Sequence, residues 1–348
     1  AKLGHKGFFR ISPSEVDKTK KVFLTHCLDC GNKLKRTNST ENHLTEDIPL
    51  ETVKTVVTLY QIERQWCKTC KKEVKAKPKF VIPNCLFGIN TLTYVLLLRY
   101  SVGLTVEKIR KILFDTYQIK ISKGGIINQL KLAKKYLQND YNKILEHVRS
   151  SPIKHADETS WRINGINSWV WAFLTKDNIY LTIEESRGKG VPTEKLKGST
   201  VDDVLIRDDY PAYKNLPVNH QSCWAHLMKE ARFEVESKAS SREMKDLEKT
   251  LKNIFSKLKI ETQPPFNGKR RNILYRQMKV KLEEIIDSQF TKPDSMRIQT
   301  RIKNQGVNLL TALKYPDVPL TNNLAERSLR PLVITRKLTG GSRSHDGA

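Results

Sequence analysis

Apolar positions change their spacing twice along this chain. Up to about residue 82 they come in short β-branched stretches, the clearest being Lys54 to Trp66 (KTVVTLYQIERQW), which predicts strands. Pro78 to Asn84 (PKFVIPN) is an apolar run bracketed by proline and predicts a linker. From Thr91 the spacing turns helical, first to Val102, then through Val106, Ile109, Ile112 and Leu113 on one face. After Tyr117 to Ile121, Ser122 stands as an N-cap before Ile126, Ile127, Leu130 and Ala133. The same period continues through Leu137, Tyr141, Ile144 and Val148 and predicts a stalk. Beyond residue 150 the runs become strand-like. A short segment, Ile153 to Ala156, closes on Asp157, and Ser168 to Thr175 (SWVWAFLT) and Asn178 to Glu185 (NIYLTIEE) follow as a meander. Pro192 to Lys197 predicts a short helix, Val204 to Ile206 a strand tipped by Arg207-Asp208-Asp209, and His220 to Cys223 a fifth strand entering a helix at Trp224. From Lys229 to about Tyr315 only helical spacing is found, with Leu247, Leu251, Ile254 and Leu258 on one face, a break at Pro264-Pro265, and a last helix over Ser295 to Leu313. Thr321 to Arg327 (TNNLAER) predicts the start of another helix.

This pattern predicts three regions: an N-terminal module at 1–82, a helical region at 83–150, and an α/β domain at 151–348 with a helical insertion at about 229–315. A chain of 348 residues is long enough for that many cores. The helices over 91–133 resemble a helix-turn-helix with Lys123 to Lys131 as its groove-facing segment, although any two packed amphipathic helices share that period. No apolar run is long enough to cross a bilayer, since Tyr94 to Leu98 stops at Arg99. The N-terminus has no apolar signal core, so a cytoplasmic location is expected. The chain begins at Ala1 and stops at Ala348, and truncation at either end is expected.

Charge narrows the choice of partner. Lys and Arg number 62 against 37 Asp and Glu, a formal net charge of +25, and a field of that sign draws polyanions, nucleic acid first. Among six cysteines, Cys27-x-x-Cys30 and Cys67-x-x-Cys70 form two pairs suited to structural Zn²⁺, as in a zinc ribbon. Disulfide pairing is the competing reading, disfavoured by the spacing and by a reducing cytosol. Lysines flank the pairs and are candidates for phosphate contact or for a solvated face. Cys85 and the tryptophans Trp161, Trp169 and Trp171 read as packing residues.

The candidate chemistry lies in the acids. Asp157 follows a first strand segment, Asp208-Asp209 tip a later strand, and Glu326 begins a helix; acids delivered by two strands and one helix can surround a pair of divalent ions, as in a ribonuclease H-like fold. Carboxylates suit Mg²⁺ or Mn²⁺, hard ions that want oxygen. Each acid alone is more often surface charge, so the weight rests on the combination.

Four runs, HADETSWRINGINSWVWAF, IRDDYPAY, HQSCWAHLMKEAR and TNNLAERSLRPLVITRKLTGGSRSHDGA, resemble the transposases of the IS66 insertion-sequence family. The likeness extends to the paired cysteines and to LTVEKIRKIL and ISKGGI. It implies a ribonuclease H-like fold, DDE chemistry, cleavage of element ends in double-stranded DNA and strand transfer into target DNA. It also implies Asp157, Asp208 and Glu326 as the three acids, with Asp208 chosen over Asp209 because the family's second acid precedes x-Tyr-x-x-Tyr. Asp157 would bridge two ions and the other two acids hold one each. Arg327, Arg330, Arg336 and Lys337 are placed to hold DNA phosphates, with Lys123 and Lys131 as further DNA contacts. Cys223-x-x-His226 resembles a signature seen after the second acid in transposases with helical insertions, and either a metal or a packing role fits it. A synaptic homo-oligomer is expected from a reaction that joins two ends, and accessory proteins stay open. Two other functions compete: a catalytically silent or truncated transposase-derived DNA-binding protein, and a ribonuclease H-like nuclease acting on RNA or branched DNA.

Overall fold

The computed structural model describes residues 32–33, 55–58, 63–67, 69, 71–75, 85, 87–237 and 240–347. It divides into two units, Ala1–Thr52 and Val53–Ala348. Cys27, Cys30 and Cys70 lie outside the described residues, and so does most of the expected zinc module. Cys67 is the last residue of β1 (Arg64–Cys67), which pairs antiparallel with β2 (Lys72–Lys75).

The helical region is built as its spacing predicts. Helix α1 (Ile89–Leu96) runs on into a π-helical turn, Leu97–Ser101, and α2 (Val106–Tyr117) starts where Thr105 Oγ1 accepts the Lys108 N–H at 3.3 Å. Gln118, at φ 56°, ends α2 in the left-handed region, and Ser122 Oγ caps α3 (Lys123–Ser150) by accepting the Gly125 N–H at 3.0 Å. Val95, Ile109, Leu113 and Ile126 close a core among these three helices. Helix α3 is the predicted stalk. At 1.5 Å per residue it is roughly 40 Å long. Its first half belongs to that core, whereas Tyr141, Ile144, Leu145 and Val148 pack on the sheet, where the Tyr141 hydroxyl donates to Leu181 O at 2.8 Å.

The sheet contains β3 (Ile153–Ile163), β4 (Ile166–Leu174), β5 (Ile179–Glu184), β6 (Val204–Arg207) and β7 (Asn219–Ser222), in the order β5-β4-β3-β6-β7. The first three form an antiparallel meander, while β6 runs parallel to β3 and β7 parallel to β6. Helix α4 (Gly190–Lys195) lies in the crossover from β5 to β6. One expectation is corrected: the first strand does not close at Ala156 but runs through Asp157 to Ile163. Its polar half pairs residue for residue with β4 across the Asn164-Gly165 turn, both residues at positive φ, the geometry of a two-residue hairpin. Asp157 therefore sits in mid-strand, opposite Ala172.

After β7 come α5 (Trp224–Glu236), α6 (Arg242–Glu261), α7 (Gly268–Asp287) and α8 (Pro293–Gln305), which share a core with the β6 side chains Val204 and Ile206. The last of these is shorter than its sequence spacing predicts. Gly306 turns the chain at φ 51°, and two 3₁₀ turns follow. Those turns bring Leu309 O to Trp224 Nε1 at 2.7 Å and the Ala312 N–H to Gln221 Oε1 at 2.7 Å, bonds that a continued helix would not make. Helix α9 (Asn323–Thr339) then packs Ala325 and Leu329 on the sheet face formed by Trp161, Val170, Ala172 and Leu174. Past α9, Gly341 at φ 116° lies against the Arg162 backbone, where a Cβ would collide, and the Ser342 N–H donates to Arg162 O at 2.8 Å.

Candidate active site

Strand alternation divides β3 between two environments. Ala156 faces the core shared with α3, whereas Trp161 and Ile163 face α9; Asp157 is in phase with the latter. Asp208 lies one residue beyond β6, its Oδ1 accepting the Tyr210 N–H at 2.9 Å. Glu326 is in the first turn of α9. Burial, then the charges of Asp208 and Glu158, push the Asp157 carboxyl up to about 7. Asp209 stands apart: Arg207 and Lys214 each approach its carboxylate at 3.6 Å. Buried Arg207 also donates to Asp208 O at 2.6 Å and to His220 Nδ1 at 3.3 Å, which braces the loop that carries both acids.

A second group meets the first at the start of α9. Cys223 ends the β7 segment as the N-cap of α5, and its N–H donates to Arg207 O at 3.0 Å. Its sulfur accepts the Asn322 N–H at 3.1 Å. His226, one helical turn further on, places Nε2 3.6 Å from Glu326 Oε1. The Cys223 sulfur and then the charges of Glu326 and Asp208 push the imidazole up to about 9 against the opposing effect of burial. Among the described residues, Cys223, His226 and Glu326 are the three potential ligands whose ligand atoms all lie within 4.8 Å of one another. Asp157, Asp208 and Glu326 do not close to that spacing.

Asn322 is the residue whose role the sequence did not disclose. Fully buried, it donates from Nδ2 to Ala156 O at 2.8 Å and accepts at Oδ1 from His155 Nδ1 at 2.9 Å. The Nδ2 bond to a carbonyl fixes the amide orientation, so the His155 nitrogen must carry the proton. Both bonds end on β3 immediately before Asp157. On the opposite face Glu158 is held by Arg187 at 2.8 Å and 3.1 Å and by the Tyr213 hydroxyl at 2.5 Å. Arg187 lies between the Trp169 and Tyr210 rings, 4.5 and 3.9 Å from their centroids, and the Tyr210 hydroxyl donates to Arg187 O. Of the tryptophans expected in packing roles, Trp161 and Trp171 are buried and Trp169 is the half-buried partner of Arg187.

The expected DNA-contacting cations separate by face. Arg330 and Lys337 follow Glu326 at four and eleven residues, so helical periodicity puts them on its side of α9, both exposed. Arg327 is exposed with Nε on Asn323 O at 3.2 Å. Arg336 turns to β3 instead, bonding Thr159 Oγ1 at 3.0 Å and Ser160 Oγ at 2.6 Å. Lys123 pairs with Glu107 at 3.0 Å in an exposed contact that a phosphate could replace at little cost. Lys131 is exposed on α3.

The raised Asp157 carboxyl has a measurable consequence for stability. The unfolded chain releases this proton near 3.8 and the folded one near 7, so between those values the folded state binds more protons and stability falls as pH rises. Asp157→Asn removes that dependence. The metal-free variant is expected to be more stable than wild type at pH 8 by about 2–4 kcal/mol, with the gain vanishing near pH 4. Urea unfolding across that range measures it. Millimolar Mg²⁺ should raise the wild-type midpoint and leave the variant's unchanged.

An uncharacterized protein, y4jO, of Sinorhizobium fredii (strain NBRC 101917 / NGR234) is 26% identical over 149 residues, which are 42% of this chain and 44% of that protein. The match thus spans less than half of that relative's length. The sequence model described as the transposase IS66 family matches residues 84–348, from the helical region through the sheet, the helical insertion and all of α9. This chain belongs to the IS66 family of transposases.

Proposed function

We propose that the chain is a DDE transposase that cleaves element ends in double-stranded DNA and transfers the freed strand into target DNA, on a ribonuclease H-like core. The observation that supports this reading best is that Asp208, at the tip of β6, acts electrostatically on Asp157 in mid-β3, whose carboxyl burial and then like charge hold up to about 7, while Asp208 and Glu326, at the start of α9, both act on His226. The order β5-β4-β3-β6-β7, an antiparallel meander continued by two parallel strands, supports the fold assignment. The pairing of Asp209 with Arg207 and Lys214, and the electrostatic effect of Asp208 on Asp157, support Asp208 as the second acid.

The residues fit divalent cations. Asp157 and Asp208, half-buried acids that repel one another, are stabilised by an ion of opposite charge, and the hard carboxylate set suits Mg²⁺ or Mn²⁺. Such ions would activate the attacking water or 3′-hydroxyl and relieve charge on the leaving oxygen. Asp157 contributes an anionic oxygen from a rigid strand, Asp208 one from a braced loop, and Glu326 one from a helix anchored by Asn322. Cys27, Cys30, Cys67 and Cys70 are proposed to hold a structural Zn²⁺. Domain limits of 1–82, 83–150 and 151–348, a cytoplasmic location and assembly as a synaptic homo-oligomer complete the proposal; among the described residues no helix is long and apolar enough to cross a membrane.

The test is nicking of supercoiled plasmid carrying candidate element ends, with Mg²⁺ or Mn²⁺. Metal-dependent nicking followed by joining to a second DNA is the expected result. Binding without cleavage under either metal would move the assignment to a catalytically silent DNA-binding protein. Arg330→Ala and Lys337→Ala should each weaken DNA binding about equally across sequences and lower the slope of log K against log salt by about one, as loss of one phosphate contact does. Fluorescence anisotropy over a salt series reads this.

A further inference from the structure

Cys223 and His226 have no task in a site made of three carboxylates, yet their surroundings are those of ligands. One nitrogen of His226 is unsatisfied. Nδ1 is buried without a hydrogen-bond partner, and Nε2 stands 3.6 Å from Glu326 Oε1, beyond the roughly 2.7–2.9 Å of a charge-assisted hydrogen bond. Two ligand atoms on one tetrahedral ion, at Zn–N and Zn–O bonds of about 2.0–2.2 Å, stand about 3.4 Å apart, close to the separation found here. Cys223 is 2% exposed and its sulfur accepts the Asn322 N–H, the type of outer hydrogen bond that supports a metal-bound thiolate. Its backbone is tied to Arg207 O, so its position is set by β6 as well as by α5. Sulfur and imidazole come from one turn of α5, at i and i+3, and the carboxylate from the first turn of α9.

We propose that Cys223, His226 and Glu326 form a binding site for a zinc-class transition-metal cation. Thiolate and imidazole prefer zinc to magnesium, so this set differs in kind from the carboxylates of Asp157 and Asp208. Three protein ligands leave one tetrahedral position for water or a phosphate oxygen. Because Glu326 belongs to both sets, zinc here competes with magnesium for that carboxylate. The site rests on its own ligand geometry and does not require the transposase assignment.

Zinc content of the full chain, measured after exhaustive dialysis from a zinc-containing buffer, tests it. Cys223→Ser and His226→Ala are each expected to hold one zinc equivalent fewer than wild type, while Asp157→Asn holds the wild-type number; the N-terminal cysteines contribute equally to all. With Co²⁺ in place of zinc, the near-ultraviolet sulfur-to-cobalt band should lose intensity in Cys223→Ser and keep it in Asp157→Asn. Equal zinc counts in wild type, Cys223→Ser and His226→Ala overturn the proposal. If either variant fails to fold, anomalous diffraction at the zinc edge from wild-type crystals decides: a peak bonded to Cys223 Sγ and His226 supports the site, and none there refutes it. DNA cleavage enters none of these three measurements, so the zinc site and the transposase function stand or fall separately.

Discussion

Asp157→Asn, Asp208→Asn and Glu326→Gln are each expected to lower metal-dependent plasmid nicking about a thousandfold or more, with DNA affinity within about twofold of wild type. The substitutions keep side-chain shape and remove one anionic oxygen ligand, and Mg²⁺ or Mn²⁺ is held by oxygen charge rather than by shape. A thousandfold corresponds to about 4 kcal/mol of transition-state stabilisation, within the several kcal/mol that metal assistance supplies. DNA affinity should persist because it rests on cations such as Arg330 and Lys337, and binding is read separately by anisotropy. Double variants should be no worse than single ones, since acids that act as a unit fail together. Asp157→Asn carries a second signature, because it removes the carboxyl that burial holds up to about 7. It should be the catalytically dead variant that is also the more stable metal-free protein, which separates loss of chemistry from loss of fold. Nicking retained by Asp157→Asn or Asp208→Asn would remove these acids from the site.

The candidate acids were picked out at abrupt changes of pattern, Asp157 after a short apolar segment, Asp208-Asp209 at the end of a β-branched run and Glu326 just inside a helix start, with the family resemblance choosing Asp208 over Asp209. The stalk was legible for a related reason, since a 3.6-residue period continued unbroken to Val148 and α3 indeed extends to Ser150. Boundaries set by backbone geometry were harder to see. The far half of β3 is polar, and only its pairing with β4 across Asn164-Gly165 makes it strand; the Asn-Gly pair was the available signal. Helix α8 stops at Gln305 because Gly306 takes φ 51°, although the apolar spacing beyond it resembles more helix. Residues acting across long sequence separations were not legible at all. His155 and Asn322 lie 167 positions apart and Cys223 and Asn322 lie 99 apart, so no local pattern could pair them.

Asn322→Ala is expected to destabilise the protein by about 3–5 kcal/mol, whereas Asn323→Ala, beside it in the same motif, should stay within about 0.5 kcal/mol of wild type. The difference is burial and partnership. Asn323 is exposed on the first turn of α9, but Asn322 is fully buried with both ends of its amide bonded to β3. Truncation leaves Ala156 O and the His155 N–H without partners in a site that water does not reach, and each such group costs about 1–3 kcal/mol. Asn322→Asp does not rescue it. One oxygen can still accept from His155, but the other faces the Ala156 carbonyl, and a buried charge is added. Urea unfolding should show a lower midpoint with an unchanged m value, the mark of altered stability rather than altered compactness. Activity should fall further than stability alone dictates. Glu326 lies one helical turn beyond Asn322, and its backbone N–H bonds Asn322 O at 3.3 Å, so loosening the start of α9 displaces the carboxylate. At a temperature where Asn322→Ala is still folded, nicking about 10- to 100-fold below wild type is expected, on the scale by which small misplacements reduce rate. If that variant nicks at the wild-type rate while its stability falls, Asn322 is a structural clamp alone, and Glu326 is held in place by another contact.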